Sequence, residues 1–266
     1  MWNTLIIQPF TNLLLWIYSV LVDIPGAFGW SIILFTIAIR ALTWPLNAQQ
    51  LKGAQAMQDL QNDKDWKAIQ KKYEKDREKL AQEQMRVYKE KGINPFSSCL
   101  PTLIQFPIII GLYQAIIRAL ASSPLSLLQL ARNVYPTLSV AALIPLNSRF
   151  LWMDLAQPEG IPLPFDVSFL PNGFPLLAIV VAITTYIQSK LTMPASANPG
   201  DQSAAMGKTM SIYMPLLLGY FALTFASGLS VYFITSNLLG IFQYAVTGRA
   251  NWSNLLPGGD KQNKSK

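Results

Sequence analysis

The stretch WSIILFTIAIRALTWPL, residues 30–46, is a long apolar run interrupted by one charge, Arg40. An α-helix rises about 1.5 Å per residue, so Arg40 lies about 15 Å along the helix from Trp30, near the middle of a bilayer. A guanidinium at that depth costs about 2.5–3.5 kcal/mol on the most lenient insertion scale, and it cannot lose its proton. The stretch therefore predicts a transmembrane helix whose charge needs polar partners.

The composition is that of an integral membrane protein. Only 13% of the 266 residues are charged, against about 25% in soluble domains, and 51% are hydrophobic. Eleven of the 21 Lys and Arg residues fall within 52–91, beside eight acids, so the charges behind the net +7 are unevenly distributed and do not predict specific nucleic-acid binding. The chain has no histidine and one cysteine, Cys99, which excludes His-based catalysis, His metal sites and disulfides. We expect no metal and no cofactor.

Five apolar segments predict an all-α integral membrane protein with five transmembrane helices, at residues 28–50, 96–120, 174–190, 209–225 and 229–248. Residues 1–27 are not predicted to span the membrane. Their apolar part, Phe10 to Val22, is bounded by Pro9 and Asp23 and is too short to span, since spanning takes about 20 residues. We expect an interfacial helix at the outer surface, in preference to a sixth span.

The segment 51–95 predicts a cytoplasmic helical hairpin, because its apolar residues recur at helical spacing. This stripe consists of Trp66, Ile69, Tyr73, Leu80 and Val87. Asn62-Asp63 is the best helix breaker by propensity, whereas a break at 74–76 gives more even arms.

The basic residues set the expected orientation. They cluster in 51–95, in the loop 191–208 and in the tail 249–266, which places the N-terminus outside and the C-terminus in the cytoplasm. The proline-rich segment 121–173 is then an outer connection. We expect interfacial helices in it, one of them at 150–155.

Arg40 has no acidic partner within the predicted spans. Amides and hydroxyls recur there instead, at Thr36, Gln105, Thr184, Thr185, Gln188, Tyr232, Ser236, Asn237 and Gln243. Each is either an interhelical hydrogen-bonding residue, worth about 0.6 kcal/mol, or part of a hydrated groove around Arg40. For Arg40 the groove is the more economical interpretation. The apolar segment 209–225 faces either another helix or lipid.

The chain resembles the YidC family of bacterial insertases and their mitochondrial and chloroplast relatives. The resemblance rests on IRALTWPL at 39–46, GINP at 92–95, PTLIQFP at 101–107, and Ser-Gly-Leu at 227–229 followed by Tyr232 and Ser236-Asn237. It implies a five-helix core with a hydrophilic groove open to the cytoplasm and to lipid, a hairpin that breaks at 74–76, and no enzyme chemistry. The groove residues by this resemblance are Arg40, Thr36, Gln105, Gln188, Tyr232 and Asn237. Substrate helices would leave along Ile108, Leu112, Met214 and Leu218.

The function implied is the insertion and folding of integral membrane proteins, in the bacterial plasma (inner) membrane or the thylakoid membrane. Implied partners are nascent membrane proteins and membrane lipids, with the Sec translocon, the ribosome and the signal recognition particle machinery as candidates. A small-solute channel or transporter is the alternative. The missing intramembrane acids argue against proton-coupled transport.

Overall fold

The computed structural model describes residues 1–73, 76–93, 100–120, 124–136, 138, 146–162, 173–192 and 202–247. The chain forms two compact units. The first consists of 1–42, 105–185 and 215–239, and the second of 43–104, 186–214 and 240–266. The predicted tail 249–266, the middle of the predicted loop 191–208 and the start of the predicted span 96–120 lie outside the described residues.

The described part of the chain is mostly helical. Its α-helices are α1 Gln8–Leu21, α2 Ala27–Asn62, α3 Lys64–Lys72, α4 Arg77–Glu90, α5 Leu100–Ala119, α6 Pro124–Asn133, α7 Leu176–Thr192, α8 Gln202–Thr224 and α9 Ser227–Val246. A π-helical turn, Asn3–Ile7, precedes α1. A two-stranded antiparallel hairpin joins β1, Arg149–Phe150, to β2, Met153–Asp154. The first predicted span thus belongs to a helix that continues to Asn62, and α8 begins before residue 209.

Three helical segments of the described chain are long and apolar enough to cross a membrane: Asn3–Leu21, Ala27–Gln49 and Ser227–Val246. Two shorter apolar helices cover Leu176–Leu191 and Ser211–Thr224. These segments and the low charge content are typical of an integral membrane protein. The count of five spans stays a prediction.

The first apolar helix is longer than predicted. The π-helical turn adds helical residues before Pro9. The missing N–H of Pro9 falls in the first turn of α1, where it costs little. The segment Asn3–Leu21 therefore reaches 19 residues, and the expectation that it is too short to span is wrong on length. The buried Asn12 ties it to the end of α6, because its amide donates to the Asn133 carbonyl and accepts from the Tyr135 N–H.

The core of the first unit joins α1, α2, α5, α7 and α9. Its largest fully buried side chains include Phe28, Phe35, Leu14 and Ile116. Phe10 packs edge-on against Phe35, with ring centroids 5.2 Å apart. Lipid tails are as apolar as these side chains, so close van der Waals packing, rather than exclusion of water, holds such helices together within a bilayer.

Residues 150–155 do not form the predicted interfacial helix. They form the β1–β2 hairpin, in which Phe150 pairs with Met153 and Leu151-Trp152 makes the turn. Leu151 adopts a left-handed backbone conformation, φ 54°, and its side chain is exposed. The aromatic and apolar content predicts an amphipathic helix. A two-residue turn needs a positive φ, which glycine or asparagine usually provides, and neither residue is present here to indicate the turn.

The strap, residues 149–159, closes over one end of the first unit. Phe150 sits over Gly26 and Gly29, where no side chain occupies the space. The N–H groups of Ser227 and Gly228, which begin α9, donate to the carbonyls of Gln157 and Leu155 at 2.8 and 3.2 Å. The Ser227 hydroxyl donates to the Asp154 carbonyl at 2.8 Å. The first N–H groups of a helix have no partner within it, so the strap satisfies those at the start of α9.

A buried carboxylate fastens the end of the strap. Glu159 accepts a hydrogen bond from the Trp152 indole at 3.0 Å and another from the Leu177 N–H, in the first turn of α7, at 3.1 Å. A carboxylate at a helix N-terminus is also favoured by the helix dipole.

In the second unit, helices α3 and α4 contact each other. Leu60, Trp66, Val87 and Tyr88 form a buried cluster, against which Ile69, Leu80 and Ile93 pack. Asp63 caps the N-terminus of α3, where its carboxylate accepts the Asp65 N–H, and Asp76 caps that of α4, where it accepts the Lys79 N–H. Residues 74–75 of the second candidate break lie outside the described residues. Each aspartate satisfies a helix N–H that has no partner within the helix.

Acid is expected to weaken the contact between α3 and α4. Asp63 is paired with Lys91, and this bond, followed by that from the Asp65 N–H, holds the pKa of the carboxyl below its ordinary 3.8. Because the folded pKa is the lower one, its stabilisation is complete above the unfolded value and is lost as pH falls through the folded value. Asp63→Asn keeps a helix cap but loses the ion pair. Circular dichroism of the full chain between about pH 6 and pH 2 should show a smaller acid-induced loss in the variant. Equal curves would contradict the assignment.

Candidate functional site

Arg40 lies on α2 and is partly buried against α9. Its Nε and Nη2 donate to the Ser236 hydroxyl at 3.0 and 2.6 Å, and Nη2 also donates to the Ser236 carbonyl at 2.9 Å. Ser236 is only 3% exposed. These oxygens are neutral, so they satisfy hydrogen-bond donors of the guanidinium without cancelling its charge.

Two further predicted residues join the same network. The Gln105 amide of α5 donates to the hydroxyl of Tyr232. Tyr232 precedes Ser236 by one helical turn on α9 and so shares its helix face. We call Arg40, Ser236, Tyr232 and Gln105 the Arg40 network. It links α2, α9 and α5 through polar side chains within the apolar part of the first unit.

Asn237 connects α9 to a different helix. Its amide donates to the hydroxyls of Thr184 and Thr185 on α7, at 3.1 and 2.9 Å. Successive residues of α9 point in different directions around the helix, so Ser236 contacts α2 while Asn237 contacts α7. These side chains therefore link α9 to α7, and their part in a groove around Arg40 stays a prediction.

Thr36 shares the helix face of Arg40, but the structure places its hydroxyl elsewhere. The side chain is completely buried, and the hydroxyl donates to the Ile32 carbonyl of its own helix at 2.6 Å. Such bonding one turn back is a common way for threonine to satisfy itself within an apolar helix. Its role in a groove stays a prediction.

Gln188 belongs to the second unit, where its side chain lies over Gly240. A Cβ added to Gly240 would come within 2.6 Å of the Gln188 amide nitrogen, so the absent side chain makes room for this amide. Met214, also in the second unit, is partly buried.

The residues predicted to contact a substrate helix do not lie on the most exposed faces of their own helices. Leu112 is completely buried in the core, so it cannot present the expected contact surface, and that prediction is corrected. Ile108 and Leu218 are partly buried and pack against the core. Among the side chains of α5 that the structure describes, Phe106, Ile110 and Ile117 are exposed, and those exposed on α8 include Ile212, Leu216 and Tyr220. Residues three, four or seven apart share one helix face, so each set forms a continuous apolar stripe.

Ser236 is not among the predicted groove residues, although its hydroxyl and carbonyl accept hydrogen bonds from the Arg40 guanidinium. One signal in the sequence was available: Tyr232 and Ser236 are spaced by four residues and must share a helix face. The sequence did not show that this face turns toward Arg40.

A family model described as "60Kd inner membrane protein" matches residues 20–253. The chain is 32% identical over 243 residues to "Membrane protein insertase YidC" of Syntrophobacter fumaroxidans, which covers 91% of this chain and 37% of that protein. It is 31% identical over 248 residues to "Membrane protein insertase YidC" of Oceanobacillus iheyensis, with 91% and 81% covered.

Among solved structures, the fold is similar to the "Active YidC insertase crystal structure with the first transmembrane domain resolved". The TM-score is 0.56 at 29% identity, covering 90% of this chain and 46% of that one. The chain thus spans less than half of the crystallised protein and of the Syntrophobacter protein. With a family model matched over most of its length and relatives above 30% identity, the chain belongs to the YidC family.

Proposed function

We propose that this protein inserts integral membrane proteins into the bilayer and assists their folding. Its relatives of similar sequence and fold are named insertases, and its helices are apolar enough to lie in a membrane. The observation that carries the proposal is the Arg40 network, in which a permanent positive charge is held by neutral oxygens inside an apolar helix bundle. Such a charge attracts an acidic segment that has to cross the bilayer.

The groove is proposed to shelter the polar outer segment of a substrate while its apolar helix enters the lipid. Water around Arg40 lowers the cost of the buried charge and shortens the apolar distance that the segment must cross. Thr36 and Asn237 join the Arg40 network as groove residues in this proposal, and the expected role of Gln188, which belongs to the second unit, stays a prediction.

Substrate helices are proposed to leave along exposed apolar stripes on α5 and α8. Phe106, Ile110, Leu216 and Tyr220 replace the residues first expected there, since they present their side chains at the surface. Aromatic and branched side chains on such a stripe pack against the apolar helix of a substrate, which needs no specific sequence.

The proposed topology has five spans, an outer N-terminus and a cytoplasmic C-terminus, in the bacterial plasma membrane or the thylakoid membrane. The clusters of Lys and Arg support this orientation. Helices α3 and α4 would form the cytoplasmic hairpin that receives nascent chains, with the ribosome, signal recognition particle and Sec translocon as candidate partners. Helix α1 would brace the outer surface.

Reconstitution tests the proposal. The purified full chain in liposomes should insert a single-span substrate with a short outer tail, so that the tail becomes protected from added protease. Empty liposomes give the background. A photocrosslinker at Ile110 should react with the arriving substrate, whereas one at the buried Leu112 should not. Insertion no greater than background, together with solute flux in the absence of substrate, would instead support a channel or transporter.

A further inference from the structure

Ser236 accepts hydrogen bonds along one edge of the Arg40 guanidinium. Nε and Nη2 lie on the same edge of the planar group, and both donate to the one hydroxyl oxygen, while the carbonyl of the same residue takes a second bond from Nη2. Because the guanidinium is a rigid fork, fixing one edge fixes the direction of the whole plane.

Tyr232 lies one helical turn before Ser236 on the same face of α9, and its hydroxyl accepts from Gln105. Ser236 is therefore the residue of the Arg40 network at which the arginine of α2 meets the polar face of α9 that leads to α5. Ser236 and Tyr232 are both almost completely buried, so competing solvent is largely kept from these bonds.

A neutral acceptor has a consequence that an acidic one would not have. An aspartate at this position would form an ion pair and remove the net charge, whereas a serine orients the guanidinium and leaves the charge in place. A serine therefore suits a site in which the Arg40 guanidinium has a fixed orientation and keeps the charge that attracts an acidic substrate tail.

We propose that Ser236 is a positioning residue for Arg40: it anchors the guanidinium to α9 and sets where the positive charge meets an acidic substrate tail. This inference rests on the proposed insertase function and adds to it a specific residue that acts through Arg40. Ser236 itself need not touch the substrate.

The test compares two versions of one single-span substrate, with an acidic and with a neutral outer tail, inserted by the full chain in liposomes. Ser236→Ala should slow insertion of the acidic-tailed substrate by about three- to tenfold, the loss of one or two bonds to a charged group, and change the neutral-tailed one by less than about twofold. Ser236→Thr, which keeps the hydroxyl, should restore most of the rate. Ser230→Ala is the matched control, because Ser230 is buried on the same helix and its hydroxyl has no hydrogen-bond partner among the described residues.

A double-mutant cycle separates positioning from general destabilisation. If Ser236 acts through Arg40, Ser236→Ala should have no further effect on acidic-tailed insertion in an Arg40→Ala background. The two substitutions should likewise be non-additive in the thermal unfolding midpoint, which needs no substrate. Wild-type rates in Ser236→Ala, or equal losses for both tails, would overturn the positioning role while leaving the insertase function intact. A wild-type protein that inserts neither substrate would overturn both.

Discussion

Gly29→Ala is expected to destabilise the protein, although alanine is a better helix former than glycine by about 1 kcal/mol. A Cβ at Gly29 would lie 2.2 Å from Cγ and Cδ2 of Phe150, and a Cβ at Gly26 would lie 2.8 Å from the same Cδ2. Cγ is the fixed base of the ring, so it cannot move aside without withdrawing Phe150 from its slot. That ring also packs edge-on against Trp30, with centroids 5.8 Å apart.

We expect a net loss of about 1–3 kcal/mol, the usual cost of overpacking a well-filled site. The measurement is the thermal unfolding midpoint of the full chain in detergent micelles. Gly219→Ala is the matched control, since its Cβ would meet the Ala182 Cβ at an ordinary 3.4 Å and should leave the midpoint unchanged or raise it. In a Phe150→Ala background Gly29→Ala should become harmless. A midpoint raised by Gly29→Ala itself would show that Phe150 does not occupy this slot.

Arg40→Ala is expected to have the largest effect on activity, and one that depends on the charge of the substrate tail. A carboxylate about 4 Å from the guanidinium gains about 4 kcal/mol at an effective dielectric constant of about 20, and desolvation takes back part of it. We expect the acidic-tailed substrate to insert at least about tenfold more slowly, which corresponds to about 1.4 kcal/mol. The neutral-tailed substrate should be much less affected.

Arg40→Lys separates charge from geometry. Lysine keeps the positive charge but lacks the planar fork that donates to Ser236 from two nitrogens. Its rate for acidic tails should therefore lie between those of the wild type and Arg40→Ala. Insertion assays with matched protein amounts in the liposomes measure this. Equal rates for acidic and neutral tails in Arg40→Ala, each at the wild-type level, would exclude an electrostatic role for the residue.

The sequence predicted the helices that carry strong local signals. The apolar run around Arg40 predicted a helix, and this run lies within α2. The candidate break at Asn62-Asp63 falls where the structure ends α2 and begins α3, with Asp63 as the helix cap. The prediction of a helix boundary at Pro9 was wrong for a local reason: a π-helical turn directly precedes α1, so Pro9 falls in the first turn of the helix, where its missing N–H costs little.

The orientation of the apolar helices could not be predicted from the sequence. The few polar residues of α5 and α8 are not gathered on one side of the helix, so no polar stripe shows which face turns inward. For this reason Leu112 was placed on the substrate face when it lies in the core, and Ile110 was overlooked. The bond between Arg40 and Ser236 was hidden for the same reason, since it depends on how α2 and α9 are rotated toward each other.

The contact between Arg40 and Ser236 also bears on the order in which this protein is made. The two residues are 196 positions apart, and Ser236 belongs to the last described helix. At about 5–20 residues per second, α2 emerges about ten to forty seconds before its partner exists. During that interval the arginine has to be hydrated or held by lipid headgroups. The insertion of α9 is then the step that completes the protein's own polar centre, so chains truncated before Ser236 should retain α2 less firmly in the membrane.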